Sequence, residues 1–146
     1  MKVCETENCE SDISHYGRNK KTCEDCTKEK NFIESRERYR AQKLAQIARV
    51  RVIRSVVAEY FGISEEIICS RKKGRVISRP RQLAQYISRE EGIKIAYIAI
   101  ACNKDRSTVQ EGLKSIKKTL EEDTHLAMDH KIITDQLEGI KCTNKI

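Results

Sequence analysis

Apolar residues in about the last hundred positions of the chain recur every three to four residues. Val109, Leu113, Ile116 and Leu120, for example, follow one another at the spacing of one helix face. Aromatic residues make up 5% of the chain and tryptophan is absent, which suits small helical core layers better than a β-sheet. The sequence therefore predicts an all-α fold.

A bundle of six helices is predicted from about residue 46 onward. Gly62 suits the end of the first helix, Ser64 the N-cap of the second, and Pro80 the first turn of the third, which ends near Gly92. The predicted ranges in chain order are about 46–61, 64–69, 80–91, 94–102, 105–120 and 125–140.

Residues 27–48 are rich in charge and in helix-forming residues, and they contain neither glycine nor proline. Their large apolar residues are too sparse for a buried stripe: Phe32, Ile33, Tyr39 and Leu44. This stretch is predicted to be a solvent-exposed connecting helix.

Positive charge is concentrated in one part of the chain. The net charge is +7, but residues 71–120 alone carry +9, and the basic segment RKKGRVISRPR at 71–81 has six cations among eleven residues. A merely solvated face normally alternates the two signs, and this block does not. The distribution favours a phosphate-rich polyanion as partner.

Two short predicted helices, 94–102 and the one starting near Asp105, are joined by Asn103 and Lys104. This layout is typical of a helix-turn-helix, whose second helix enters the DNA major groove by its N-terminal end. Asp105 is predicted to cap that helix, so that Arg106 and Ser107 project from its first turn. An alternative is a capping box of Ser107 with Gln110, which would start the helix two residues later and redirect Arg106.

The residues around this motif carry a more specific signal. The stretches RVISRPRQLAQYISRE, IAYIAIACNKD and DRSTVQEGLKSI, preceded by VVAEYFGIS and followed by KKTLEED, resemble the C-terminal DNA-binding domain of the DnaA replication initiators over about residues 50–122. The resemblance implies a helix-turn-helix fold and double-stranded DNA as partner.

The resemblance also implies roles for matched positions. Lys73 and Arg75 fall where the family sends basic side chains into the minor groove, and Arg81 and Gln82 match residues that contact the duplex. The positions that match the start of the family's recognition helix are Lys104, Asp105, Arg106, Ser107 and Thr108.

Departures from the family pattern bear on function. Arg106 stands where the family has histidine, Ser107 replaces a threonine, and Asn103 stands where the family commonly has two glycines. A changed DNA preference is therefore expected. The family's G-x-x-x-x-G-K-[ST] nucleotide-binding loop does not occur in this sequence, so neither ATPase activity nor a nucleotide partner is predicted.

Residues 1–30 are rich in cysteine. The pattern Cys4-x4-Cys9-x13-Cys23-x2-Cys26 supplies two pairs of thiolates, which is the ligand arrangement of a structural Zn²⁺ site. A redox pair and unrelated thiols are the alternatives, and His15 is a minor alternative ligand. The region resembles treble-clef-like or knuckle-type zinc fingers of small phage and bacterial DNA-associated proteins.

The other cysteines and histidines receive no functional role. Cys69 and Cys102 lie in apolar contexts and are predicted to pack as small hydrophobic residues, while Cys142 stands apart. His125 and His130 have neither a ligand nor a catalytic spacing.

The predicted organisation has three parts: a four-cysteine zinc finger at 1–30, a connecting helix at 27–48, and a DnaA-like DNA-binding domain with an acidic C-terminal helix at 49–146. The predicted function is non-enzymatic, sequence-specific DNA binding in replication initiation or its regulation. The alternatives are a transcriptional regulator, an adaptor for replication proteins and a small zinc-finger nuclease. With no export signal or membrane span in the sequence, a cytoplasmic protein is expected, in the host if phage-encoded.

Overall fold

The computed structural model describes residues 2–14 and 21–143, with side chains up to Lys141. Contacts divide the chain into two compact units, Met1–Gln42 and Lys43–Ile146. The helices are α1 (Glu24–Phe61), α2 (Glu65–Cys69), α3 (Arg75–Glu90), α4 (Ile95–Cys102), α5 (Arg106–Glu122) and α6 (Thr124–Thr143).

The all-α prediction is confirmed. In the described ranges the extended pairing is confined to one antiparallel bridge between Val3 and Asp12. None of the described helices has both the length and the apolar character needed to cross a membrane. The predicted three-part division at residues 30 and 48 stays a prediction.

Helix α1 differs from its prediction in extent. The predicted connecting helix and first core helix form one helix of 38 residues, because nothing between Glu24 and Phe61 breaks the backbone pattern. The sparse apolar side chains of its first part are exposed, as predicted: Phe32 61%, Ile33 48%, Tyr39 57% and Leu44 66%.

The second unit has a single core built from the predicted helical stripes. Val109 and Ile116 of α5 are fully buried, and Leu113 and Leu120 pack against the same core. The other fully buried core residues include Val50, Ile53, Val57, Leu83, Ile98 and Ile133. Cys102 is 1% exposed and packs among them as predicted, whereas Cys69 is only half-buried.

Two predicted helix ends are confirmed. Gly62 has a φ of 66°, and the amide of Ile63 donates to the carbonyl of Ala58 at 3.0 Å, which closes the end of α1. The Ser64 hydroxyl accepts from the Ile67 amide at 3.3 Å and caps α2.

The predicted start of α3 is wrong. The helix begins at Arg75, directly after Gly74 with its φ of 127°, so Pro80 lies inside the helix and not in its first turn. Proline lacks the N–H that would bond to the carbonyl of Val76. Val76 is 77% exposed, so this unpaired carbonyl belongs to a surface residue and not to one in the core. Arg75 is consequently the first residue of a helix, and only 70–74 form the α2–α3 loop.

Helices α3 and α5 pack closely where α5 has a glycine. A Cβ atom at Gly112 would lie 3.1 Å from Gln85 Oε1 and 3.3 Å from Gln82 Cγ. Gln85 is 2% exposed, so it has little room to move. A small residue at 112 therefore sets how closely α5 approaches α3.

Ion pairs and hydrogen bonds join α1 to the rest of the second unit. Arg54 donates to the carbonyl of Ala101 at 2.6 Å and lies 3.1 Å from Cys69 Sγ. Arg49 donates two bonds of 2.8 Å to the carboxylate of Glu91, the residue that ends α3. These contacts hold the ends of α2, α3 and α4 against one side of α1.

Candidate nucleic-acid interface

Helices α4 and α5 are joined by a tight turn. Asn103 takes the left-handed conformation with a φ of 53°, which asparagine tolerates better than most residues. The amide of Lys104 then donates to the carbonyl of Ala99 at 3.0 Å and closes the end of α4. Asn103 thus ends α4, and residues 103–105 form the turn between the two helices.

Helix α5 starts at Arg106, with Asp105 as its N-cap residue. The later start that a capping box at Ser107 would require is therefore not adopted. Within the described residues, the Asp105 side chain makes no capping hydrogen bond, so the predicted cap bond is wrong. Asp105, Arg106, Ser107 and Thr108 are all exposed, and the first-turn amides of α5 face the same region.

Arg81 is half-buried and bonds to backbone carbonyls, although the resemblance matches it to a duplex contact. Its guanidinium donates to the carbonyl of Ile68 in α2 and to those of Ser70 (2.8 Å) and Lys72 (3.2 Å) in the α2–α3 loop. Burial lowers the pKa of Arg81 from its ordinary value. Arg81 matches a DNA-contacting residue in the sequence, but in the structure its side chain bonds to the backbone of the loop.

The side chain of Lys104 also bonds to this loop. Its Nζ donates to the carbonyl of Ser70 at 2.7 Å. Burial, and next the positive charges of Arg81 and Arg71, lower the pKa of Lys104. The carbonyl of Ser70 therefore links the turn between α4 and α5 to the start of the basic segment.

A surface depression, here called the recognition depression, lies between the α2–α3 loop and the start of α5. Its polar lining comes from both stretches: Arg71, Asn103, Lys104, Asp105, Arg106 and Thr108. Its remaining lining comes from Cys69 and from the α4 residues Ala96, Ala99 and Ile100. The structure therefore brings the basic loop and the predicted recognition helix to one face.

Arg75 and Gln82 lie elsewhere on this unit. Both line a second depression between α3 and the later part of α5, together with Arg79, Ser115 and Thr119. Lys73 is exposed in the α2–α3 loop. Of the nine predicted contact residues, four line the recognition depression, two line this second depression and Lys73 lies in the loop. The other two are Arg81, which bonds to backbone carbonyls, and Ser107, which is exposed in the first turn of α5.

Four residues of the recognition depression were not singled out from the sequence: Arg71, Ala96, Ala99 and Ile100. Arg71 belongs to the basic segment, whose charge was recognised, but no motif distinguished this residue from its neighbours. Ile100 is 53% exposed, and α4 (IAYIAIAC) is apolar on every side, so no polar stripe marks its surface face.

The four predicted zinc ligands lie together in the first unit. The sulfur atoms of Cys4, Cys9, Cys23 and Cys26 are all within 4.8 Å of one another, and Cys9 Sγ is 3.8 Å from Cys23 Sγ. The Val3–Asp12 bridge folds Cys4 and Cys9 together. Cys23 directly precedes α1 and Cys26 lies in its first turn, so helix geometry sets their spacing. His15 lies outside the described residues.

Hydrogen bonds and the neighbouring sulfurs give the cysteines of the cluster different pKa values. Thr6 lowers the pKa of Cys4 to about 6, and Ser11 lowers that of Cys9. Hydrogen bonding to Cys23, and next to Cys9, raises the pKa of Cys26 to about 12. Backbone amides also point at sulfur, with Cys23 N 3.4 Å from Cys4 Sγ and Cys26 N 3.4 Å from Cys23 Sγ. A further thiolate is disfavoured beside the first because like charges repel at this range.

The fold and this geometry define a helix-turn-helix domain, formed by α4, a tight turn and α5 on a helical core. Residues 50–116 match the family described as bacterial dnaA protein helix-turn-helix. The chain is similar to that family over this helical part.

Individual relatives agree over the same part of the chain. The chain is 33% identical over 82 residues to the chromosomal replication initiator protein DnaA 1 of Chlamydia pneumoniae, which covers 55% of this chain and 17% of that protein. It is 41% identical over 69 residues to DnaA 2 of Protochlamydia amoebophila, covering 46% of this chain and 15% of the relative. The chain thus spans less than a fifth of the length of these relatives.

The fold has a counterpart among solved structures. The crystal structure of a DNA replication initiation factor superposes with a TM-score of 0.62 at 21% identity, over 82% of this chain and 38% of that one. This likeness shows the shared helical architecture.

Proposed function

We propose that the second unit binds double-stranded DNA sequence-specifically, and that the chain serves replication initiation or its regulation as a binding protein without enzymatic activity. The observation that carries the proposal is the recognition depression, where Arg71 of the basic segment and Arg106 of α5 line one concave surface. Cations that share one face neutralise neighbouring phosphates of a single duplex.

In this proposal the first turn of α5 enters the major groove. Arg106, Ser107 and Thr108 are exposed there, and an arginine pairs bidentately with the O6 and N7 atoms of guanine. Asp105, with no capping bond of its own within the described part of the chain, is available to accept from a cytosine amino group. Arg106 in place of the family's histidine gives this chain its own base preference.

The basic segment supplies the sequence-independent part of the affinity. Lys73 is exposed in the loop and Arg75 at the first position of α3, and we assign both to the minor groove and its phosphates. Arg81 and Lys104 act by holding the loop in place through the carbonyls of Ile68, Ser70 and Lys72. Gln82 packs beside Gly112, so its amide is positioned by α5.

The test is a selection of bound sequences from a randomised duplex library with the full chain. We expect one enriched motif, and we expect Arg106→Ala to change the preferred base at one position at a cost of about 1–3 kcal/mol. Lys73→Ala should weaken binding to all sequences alike and reduce the slope of log K against log salt by about one.

Lys131→Ala is the matched control, because Lys131 is an exposed cation on α6 outside both depressions. Recovery of no preferred sequence would refute specific recognition. An affinity that does not change with salt would refute the role of the cations.

We further propose that the four-cysteine cluster of the first unit is a structural zinc site. In a tetrahedral ZnS₄ site with Zn–S bonds of about 2.3 Å, neighbouring sulfurs lie about 3.8 Å apart. The Cys9–Cys23 separation of 3.8 Å fits that spacing. Among the described residues of this unit, the buried core consists of Ile13 with Cys4 and Cys23, too little to stabilise a fold alone.

Metal analysis of the purified chain tests this second proposal. One zinc per chain is expected, and Cys26→Ser should lower the zinc content while Cys69→Ser leaves it unchanged. Purified chain that contains no zinc and takes none up from a metal-buffered solution would refute it.

A further inference from the structure

Ile100 is far more exposed than its apolar neighbours on α4. Its neighbours Tyr97, Ile98 and Cys102 are at most 6% exposed and pack in the core, whereas Ile100 is 53% exposed. An isolated apolar side chain on a surface is common and by itself carries no meaning. What distinguishes Ile100 is the surface on which it lies.

Ile100 lines the recognition depression together with Arg106 and Thr108. The same depression is lined by the further cations Arg71 and Lys104 and by one carboxylate, Asp105. The small side chains of Ala96 and Ala99 border the same depression, so a neighbouring group can approach Ile100 closely. An apolar spot thus lies within a cationic surface, beside the residues assigned to base edges.

The major groove offers such a spot a specific partner. Base edges there display hydrogen-bond donors and acceptors, and the C5-methyl group of thymine is the apolar group among them. A phosphate has no apolar surface to cover Ile100. The neighbouring Arg106 and Thr108 select polar edges, so Ile100 adds a different kind of discrimination.

We propose that Ile100 contacts the C5-methyl group of a thymine in the bound duplex and helps to determine which sequence is preferred. This inference rests on the proposed function, because it requires the first turn of α5 to lie in the major groove. It assigns part of the base readout to α4, the first helix of the motif.

The test combines a protein variant with removal of one methyl group from the DNA. Each thymine of the selected site is replaced in turn by deoxyuridine, which differs only by the C5-methyl group, and the affinity of the full chain is measured with and without Ile100→Ala. At one position, deoxyuridine should weaken binding of the unchanged protein by about fourfold, the effect of burying one methylene-sized group. The same replacement should have no effect on Ile100→Ala.

Ile132→Ala is the control variant, since Ile132 is 42% exposed on α6 and lies outside the recognition depression. It should keep the full response to deoxyuridine. Circular dichroism checks that Ile100→Ala keeps its helix content.

Equal responses of the unchanged protein and Ile100→Ala at every thymine, or a selected site without a thymine, would overturn the inference while leaving DNA binding intact. Absence of duplex binding by the unchanged protein would overturn the proposed function and this inference with it.

Discussion

Lys104 Nζ donates a 2.7 Å hydrogen bond to the carbonyl oxygen of Ser70, 34 residues earlier in the chain. Lys104 belongs to the turn between α4 and α5, and Ser70 ends α2. One lysine therefore connects the helix-turn-helix to the loop that carries the other cations. Its ammonium group is half-buried in this position and so is less open to a phosphate than its sequence match suggests.

Lys104→Met keeps the aliphatic stem and removes the donor. We expect the free energy of unfolding in urea to fall by about 1 kcal/mol, the contribution of one intramolecular hydrogen bond. DNA affinity should fall as well, because the α2–α3 loop loses its hydrogen bond to Lys104. Lys114→Met, which removes an exposed cation from α5, is the control and should not change stability. The two variants could instead be equally stable, with the slope of log K for DNA binding against log salt reduced by about one in Lys104→Met. That result would indicate a direct contact between Lys104 and a phosphate.

Arg81 and Arg75 should respond differently to substitution. Arg81→Ala leaves the carbonyls of Ile68, Ser70 and Lys72 without their donor, so we expect a loss of about 1–3 kcal/mol in stability together with weaker DNA binding. Arg75→Ala removes an exposed side chain and should weaken DNA binding with stability unchanged within about 0.5 kcal/mol. Urea denaturation and a gel-shift titration of both variants decide the matter, and full stability of Arg81→Ala would contradict its role in shaping the loop.

Chelation of metal should act on one unit alone. Excess EDTA is expected to unfold the residues around the cysteine cluster, because their buried core is small. The core of the second unit contains none of the four predicted ligands and should stay folded. Heteronuclear NMR spectra before and after chelation measure both effects, with the Cys26→Ser variant as a reference of lowered zinc content. Loss of the signals of Val50, Ile98 and Ile116 would show that the two units do not fold separately.

Glu91 should contribute a pH-dependent part of the stability. Its side chain is 19% exposed, accepts two bonds from Arg49 and lies 3.1 Å from Lys141 Nζ. Hydrogen bonding to Arg49, and next to Lys141, lowers the pKa of Glu91. A lowered folded-state pKa stabilises the fold above the unfolded value of about 4.3, and this stabilisation is lost as the pH falls through the folded pKa.

The measurement for Glu91 is the free energy of unfolding against pH for the unchanged protein and for Glu91→Gln. The variant should be less stable by about 1–2 kcal/mol near pH 7, and the two curves should converge at acid pH. Glu111→Gln, an exposed position on α5, serves as the control. A gap that stays constant down to the lowest pH would mean that charge on Glu91 is not the cause.

The helical periodicity predicted the core correctly because burial alone produces it. Val50, Val109 and Ile116 lie on faces that repeat every three to four residues, and all three are fully buried. Glycine and serine at helix ends were equally informative, since Gly62 and Ser64 act through backbone geometry that is local. The misplaced start of α3 came from reading Pro80 as a first-turn residue, a preference that packing overrode.

The orientation of functional side chains was harder to predict. Arg81 and Arg75 belong to the same basic segment, yet one is turned toward backbone carbonyls and the other is exposed. The difference depends on where residues 68–72 lie in three dimensions, which no local pattern encodes. The four cysteines are a favourable case, because a metal site imposes its own spacing on the sequence.

Cys26 in the first turn of α1 packs in the cysteine cluster, and the buried residues of α1 begin only at Ile47. Between them, residues 28–42 of this fully described helix are all exposed and make no contribution to a core. Their helical state depends on neighbouring peptide groups and on intrinsic propensity, both of which are weak supports in water. Amide protons in this stretch should therefore exchange with deuterium sooner than those near Val50 or Val57, and proteases should find their first cut here. Because Leu44 is 66% exposed, a fluorophore attached at this position would report on the local environment of α1 without perturbing core packing.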